Sequence, residues 1–141
     1  MDKILGLDFG KVRIGIALSD ETKTFAFGKE FILNNKFSLS YIKSIVDSEN
    51  ISGIVIGYPL NLKGRKTSQT FEVESFEQRL KKAINNDGVK IIRWDERFTS
   101  KMAESSLFES GMKKEKRQQK SNIDIVSAAI LLQSYLDSIN K

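Results

Sequence analysis

The chain has 141 residues, 40% hydrophobic and 29% charged, with a net charge of +5. That is enough apolar material for one compact domain over residues 1–141, and the basic surplus suits a polyanionic partner without specifying a fold. With neither Cys nor His, the chain excludes disulfides, thiol nucleophiles, Ser-His-Asp triads and Cys/His zinc sites of its own; no apolar stretch approaches the ~20 residues of a membrane span, and the early run from Ile4 is broken at Asp8, so no secretory signal is expected and a cytoplasmic setting is.

Residues 4–9 alternate apolar positions with Gly6 and Asp8 and read as a strand. Gly10 and Lys11 mark a turn, and residues 13–18 alternate again with Ile14, Ile16 and Leu18 on one side, so the two form an antiparallel hairpin. Residues 25–33, aromatic and β-branched around Gly28, are a third strand. Ser38 is positioned to cap a helix with the stripe Leu39, Ile42, Ile45 and Val46. Residues 51–56 form a short buried strand closed by Gly57, Tyr58 and Pro59, and residues 61–68 a polar loop. A helix over residues 69–84 puts Val73, Phe76, Leu80 and Ile84 on one face, with acids first and bases last as the helix dipole prefers. Asp87-Gly88 breaks it. Residues 89–94 are a strand, residues 99–110 a helix ended by Gly111, and residues 122–139 the last helix. Hairpin strands followed by alternating helices and strands predict an α/β fold with a mixed sheet and helices packed on it.

Four acids stand out by position. Asp8 lies near the end of the first strand, where a carboxylate is costly unless paired, metal-bound or open to a cleft. Asp95 and Glu96 end the last strand, the usual place for a ligand crevice in an open α/β sheet. Adjacent strand residues face opposite sides, so only one of the two enters a given site. They also suit a plain approach to a helix capped by Thr99, with Arg97 in a surface ion pair. Asp124 follows Ser121 at the spacing of a capping box, while Ser127, Ala128 and Leu131 share its face and would let that face lie close to the sheet. Three carboxylates from the first strand, the last strand and the last helix can converge at one end of the sheet. Held that close they repel unless a cation lies between them, and with no His available Mg²⁺ or Mn²⁺ suits hard oxygen donors. Two such ions about 3.5–4 Å apart activate water and stabilise the leaving oxygen of a phosphodiester.

Four blocks in chain order carry a specific likeness: Leu5-Gly6-Leu7-Asp8-Phe9-Gly10 with Arg13-Ile14-Gly15-Ile16-Ala17, then Gly57-Tyr58-Pro59-Leu60-Asn61-Leu62-Lys63-Gly64, then Asp95-Glu96-Arg97-Phe98-Thr99-Ser100, then Asp124 ahead of Ala128-Ala129-Ile130-Leu131-Leu132-Gln133. Together they resemble the YqgF/RuvX-like family, bacterial proteins classed as pre-16S rRNA nucleases and related to Holliday junction resolvases. The resemblance implies an RNase H-like fold, with a mixed five-stranded sheet (three antiparallel strands, then two parallel) flanked by helices. It implies that Asp8, the Asp95-Glu96 pair and Asp124 are catalytic, with Asp8, Glu96 and Asp124 as metal ligands. Glu96 is preferred over Asp95, which is left to hold Arg97 or nearby backbone. Tyr58 departs from the smaller aliphatic residue expected there and bears on the loop's contact with substrate.

Lys11 and Arg13 are candidate phosphate contacts or solvated surface charge. Asn61 and Lys63, in a loop after a buried strand, are placed to meet sugar or phosphate, and Arg97 to steady a pentacovalent phosphate or simply to pair with Asp95. Lys113, Lys114, Lys116, Arg117 and Lys120 form a basic run suited either to gripping phosphate or to plain solvated surface. Trp94, set in a strand, suits the core better than a stacking role on a base. The expected activity is metal-dependent endonucleolytic hydrolysis of structured nucleic acid, above all at the 5′ end of precursor 16S rRNA, alone or on ribosomal precursor particles. Cutting of branched, four-way DNA is the alternative, and it would need a homodimer rather than a monomer. A non-catalytic nucleic-acid-binding regulator is the alternative of another class. ATP-dependent phosphotransfer, suggested by Asp8-Phe9-Gly10 and Gly15, lacks room for a second lobe.

Overall fold

In the computed structural model, which describes residues 2–99 and 120–140, five strands form one mixed sheet. They are β1 (Lys3–Phe9), β2 (Arg13–Ser19), β3 (Ala26–Leu33), β4 (Ile51–Tyr58) and β5 (Lys90–Asp95), in the spatial order β3-β2-β1-β4-β5. β1–β2 and β2–β3 pair antiparallel, while β1–β4 and β4–β5 pair parallel. Among the described residues the helices are α1 (Ser38–Ser48), α2 (Ser68–Ile84) and α3 (Lys120–Ile139), with a 3₁₀ turn at Glu96–Phe98. The helix expected over residues 99–110 and the basic run at 113–120 lie outside the described residues, except that Lys120 opens α3.

The alternation along β1 sorts its side chains onto two cores. Leu5, Leu7 and Phe9 join Ile14 and Ile16 of β2, Ile54 and Ile56 of β4, and the apolar stripes of α1 and α2, including Ile42, Val73, Phe76 and Leu80. The other face of the sheet, with Ile4, Ala17 and Val55, packs against Ala128, Leu131, Leu132 and Leu136 of α3. Burial of each of these leucines contributes about 1.5–3 kcal/mol. Asp8 falls on the α3 face, because the period of two that buries Leu7 and Phe9 opposite leaves it no other side.

α3 lies unusually close to the sheet because it crosses a glycine on each of three neighbouring strands. A Cβ at Gly6 would lie 2.9 Å from Leu132 Cβ, one at Gly15 would lie 2.1 Å from the Asp124 carbonyl oxygen, and one at Gly28 would lie 2.4 Å from Ile125 Cγ2. The small residues Ala128 and Ala129, both buried, supply the helix side of the same approach. Gln133 then ties α3 to the edge of the sheet, its Oε1 accepting from Ala26 N at 2.8 Å and its Nε2 donating to Thr24 O at 2.8 Å.

The structure corrects the expected caps of two helices. Phe37, not Ser38, is the residue before α1, and it makes no side-chain cap. The Ser38 hydroxyl instead accepts from Asn35 N and donates to Leu33 O, closing the β3–α1 connection. α2 ends at Ile84 as expected, with Asn85 after it in the left-handed conformation and Asp87-Gly88 beyond. α3 begins at Lys120, so Ser121 sits inside the helix rather than capping it. Both caps were short-range signals, and the Ser38 hydroxyl serves the β3–α1 connection instead of a helix N-terminus.

Candidate active site

The carboxyl ends of β1 and β4 and the 3₁₀ turn after β5 meet the N-terminal half of α3 around a cleft of about 270 Å³, lined by Asp8, Glu96, Thr99, Ser127, Ile130 and Leu131. Asp8 pairs across the hairpin with Gly15. Gly15 in turn lies under the backbone of Asp124, so one cross-strand pair sets the first-strand acid and the helix acid in register. Glu96 leaves the sheet just beyond β5, and its side chain passes over Gly57 of β4. A Cβ there would lie 2.6 Å from Glu96 Oε1. Glycine at position 57 is therefore what lets Glu96 reach the cleft.

A second set of contacts fixes the turn that carries Glu96. Trp94 packs edge-on against Phe98 and Tyr135, and its Nε1 donates to Ser134 Oγ at 3.2 Å. Ser134 Oγ donates to Phe98 O at 2.7 Å. The tryptophan thus anchors the turn to α3 and belongs to the core.

Asp95 and Glu96 have separate fates, as opposite strand faces require. The Asp95 carboxylate accepts from Arg97 N at 2.9 Å and from the Arg97 guanidinium at 2.6–3.1 Å, and this guanidinium holds the Asp95 carboxyl below the usual carboxylate range. Glu96 and Asp8, by contrast, have no hydrogen-bond or ion-pair partner among the described residues. Burial, and then the charges of Glu96 and Asp124, push the Asp8 carboxyl up to about 7. Burial, and then the charge of Asp95, also raise Glu96. The cleft therefore presents two poorly solvated carboxyls with no counter-ion among the described residues, a state that a hard cation relieves.

Asp124 is not held with them as a third open carboxylate. Its Oδ2 accepts from Arg13 Nε at 2.5 Å, in an ion pair whose side chains are 21% (Arg13) and 27% (Asp124) exposed. Among the described residues no three acids stand close enough to hold a metal ion between them. Asp8 and Glu96 fit such an ion by donor chemistry, because Mg²⁺ is commonly bound by one or two carboxylates together with substrate phosphates. Asp124 fits only if it leaves Arg13.

The other expected contact residues are dispersed. Lys11 pairs with Glu72 of α2 at 3.3 Å. The Asn61 side-chain oxygen is occupied inside its own loop, accepting from Lys63 N and Arg65 N. Lys63 is exposed. Arg97 lies against Gly64, where a Cβ would be 3.2 Å from its Nη1, so the 59–66 loop abuts the Asp95–Arg97 pair. Tyr58 turns out to serve structure: its hydroxyl donates to Glu74 at 3.0 Å, and the Arg93 guanidinium lies 4.8 Å from its ring centre. Lys113, Lys114, Lys116 and Arg117 lie outside the described residues.

Sequence reasoning missed Gly57 and Thr99 as parts of the cleft, and the use of Arg13 as the partner of Asp124. The glycine spacing in β1, β2 and β4 was the available signal for a helix and a side chain lying tight on the sheet.

A family model described as Holliday junction resolvase, RuvX, matches residues 2–138. A protein of Sulfurihydrogenibium sp. named "Putative pre-16S rRNA nuclease" is 42% identical over 140 residues, covering 99% of this chain and 93% of that protein. One of the same name from Syntrophus aciditrophicus is 40% identical, covering 99% and 91%. Among solved structures, T. thermophilus RuvC in complex with Holliday junction substrate superposes with a TM-score of 0.62 at 12% identity, covering 98% of this chain and 96% of that one. The Fowlpox virus resolvase in complex with substrate Holliday junction DNA gives 0.63 at 15%, covering 99% of each. At such identities these two speak for the fold alone, which is that of the RuvC-like resolvases with an RNase H-like sheet. The matched span and the identities to full-length relatives establish that this chain belongs to the RuvX family.

Proposed function

We propose that this chain is a divalent-metal-dependent endonuclease that hydrolyses phosphodiester bonds at the 5′ end of precursor 16S rRNA. The observation that carries the reading is the pair of carboxyls, Asp8 and Glu96, without a cationic partner among the described residues and facing one open cleft at the carboxyl end of the sheet. The choice of RNA follows the names of the relatives. In this reading Asp8 and Glu96 hold the cation, Asp124 completes the set, and Asp95 positions Arg97. A divalent ion held by these carboxylates would supply Lewis-acid activation of water and charge neutralisation at the phosphate. The carboxylates position rather than attack. Thr99 and Ser127 offer hydroxyl donors to the phosphate, and Ile130 and Leu131 form an apolar wall that strengthens every charge interaction in the cleft. Lys63, Arg97 and the basic residues Lys113, Lys114, Lys116, Arg117 and Lys120 are assigned to nucleic-acid contact by their charge.

The test compares wild type with Asp8→Asn on precursor 16S RNA and on a DNA four-way junction, with Mn²⁺ and with chelator. Metal-dependent cleavage of the RNA that vanishes in the variant is expected. Preferential cutting of the junction by a two-fold dimer favours the resolvase reading, which the family model's description supports. Equal cutting by Asp8→Asn overturns the site, and nucleic-acid binding that survives chelator without any cleavage points to a regulator.

A further inference from the structure

We infer that Arg13 is an exchangeable counter-ion of the site: it holds Asp124 while no cation is bound, and gives Asp124 up to the cation, turning its guanidinium to a phosphate oxygen of the substrate. The inference rests on the reading of the cleft as a cation site and adds the device that loads it.

Four observations carry it. The Arg13–Asp124 bond joins the start of β2 to the first turns of α3 across 111 positions of sequence, so it is a tertiary contact and not a local surface pair. Both side chains are about three-quarters buried, where a charge without a partner is costly and some cation must face Asp124 at all times. The contact is monodentate: only Nε of Arg13 and only Oδ2 of Asp124 are engaged among the described residues. A guanidinium has five donors and a carboxylate two acceptor oxygens, so each partner keeps capacity for the next ligand before letting go of the first. Finally, the charge of Asp124 is already felt at Asp8, which places it within electrostatic reach of the cleft. In this Asp124-bound position the Arg13 guanidinium also lies 5.9 Å from the Phe31 ring centre.

Exchange has a consequence opposite to that of a merely structural arginine: removing Arg13 should improve cation binding. Mn²⁺ is titrated calorimetrically, without substrate and at low ionic strength, into wild type, Arg13→Gln, Arg13→Lys, Asp124→Asn and the Arg13→Gln/Asp124→Asn double variant. Arg13→Gln is expected to bind Mn²⁺ roughly two- to fivefold more tightly than wild type, the scale of one ion pair. Asp124→Asn is expected to bind more weakly, the double variant no more tightly than Asp124→Asn alone, and Arg13→Lys close to wild type. In ¹⁵N spectra of wild type, the Arg13 Nε–H signal should move on adding Mg²⁺ alone. At saturating Mn²⁺, Arg13→Gln should raise KM for the nucleic acid and lower its salt dependence by about one phosphate contact.

An Arg13→Gln affinity equal to or weaker than wild type, with wild type binding Mn²⁺, overturns the exchange and leaves the cation site standing. The same gain in the Asp124→Asn background makes Arg13 a through-space charge and also overturns it, as does an unchanged salt dependence. No Mn²⁺ binding by any variant overturns the cation site and the exchange together.

Discussion

Adding a methyl group at Gly15 tests how the fold makes the site. In Gly15→Ala the new Cβ would lie 2.1 Å from the Asp124 carbonyl oxygen and 2.9 Å from its carbonyl carbon. Both are backbone atoms, so no rotamer change relieves the clash, and the start of α3 must lift from β2 by roughly 1 Å. A misplacement of that size at a catalytic centre costs on the order of 100-fold in rate. Over-packing of this kind destabilises by about 1–3 kcal/mol. The assay is single-turnover cleavage of precursor RNA at saturating Mn²⁺, with thermal unfolding in parallel. Arg13 also loses its fixed partner, so the Arg13 Nε–H signal should shift in the metal-free variant. Wild-type cleavage with unchanged unfolding would refute the claim that the Asp8–Gly15 cross-strand pair sets the height of Asp124 over the site.

Asp8 gives a pH prediction of definite sign. Its carboxyl titrates near 7 in the fold and near 3.9 unfolded, so between these values the folded chain binds the extra proton and stability falls as pH rises. Metal-free Asp8→Asn should therefore be more stable than wild type at pH 8, by at most a few kcal/mol, and unfold at a higher temperature, with the gap closing towards pH 4. Cation affinity of wild type should rise through pH 7, read by calorimetry, and a flat profile from pH 6 to 8 would contradict the burial of Asp8. Glu96→Gln should lose cleavage by about 10²–10³-fold, while Asp95→Asn, whose partner is the half-exposed Arg97, should keep most of it; the reverse ranking in one kinetic series would exchange their roles. Glu77 is buried and accepts from Arg93 at 2.8 and 2.9 Å, and that guanidinium holds its carboxyl below the usual range. Glu77→Gln should cost about 1–2 kcal/mol near neutral pH, and the difference should disappear as acid protonates Glu77 in wild type. Cleavage should be unchanged.

The strands were legible because each carries its own signal. The alternation around Asp8, the hairpin from Gly10 to Arg13 and the apolar run before Gly57 are local patterns, and burial on both faces of β1 follows from them. The order of elements was enough to foresee a mixed sheet with helices packed on it, and the motif resemblance implied the three antiparallel strands followed by two parallel ones that the sheet shows. Helix starts were read less well than the end of α2 at Ile84: Ser38 bonds within the β3–α1 connection and Ser121 lies inside its helix rather than before it.

The composition alone removed Cys and His chemistry and left carboxylates as the candidates, and the motif blocks singled out Asp8, Asp95, Glu96 and Asp124. Only the tertiary structure decided what each acid faces. Asp95 turns to Arg97 and Glu96 crosses Gly57 into the cleft, because a strand end divides adjacent residues between two sides. Asp124 meets Arg13 because the glycines at 6, 15 and 28 bring a helix from the far end of the chain down onto the hairpin. Sequence spacing holds no record of such approaches: they depend on the absence of side chains in one segment and the docking of another more than a hundred residues away.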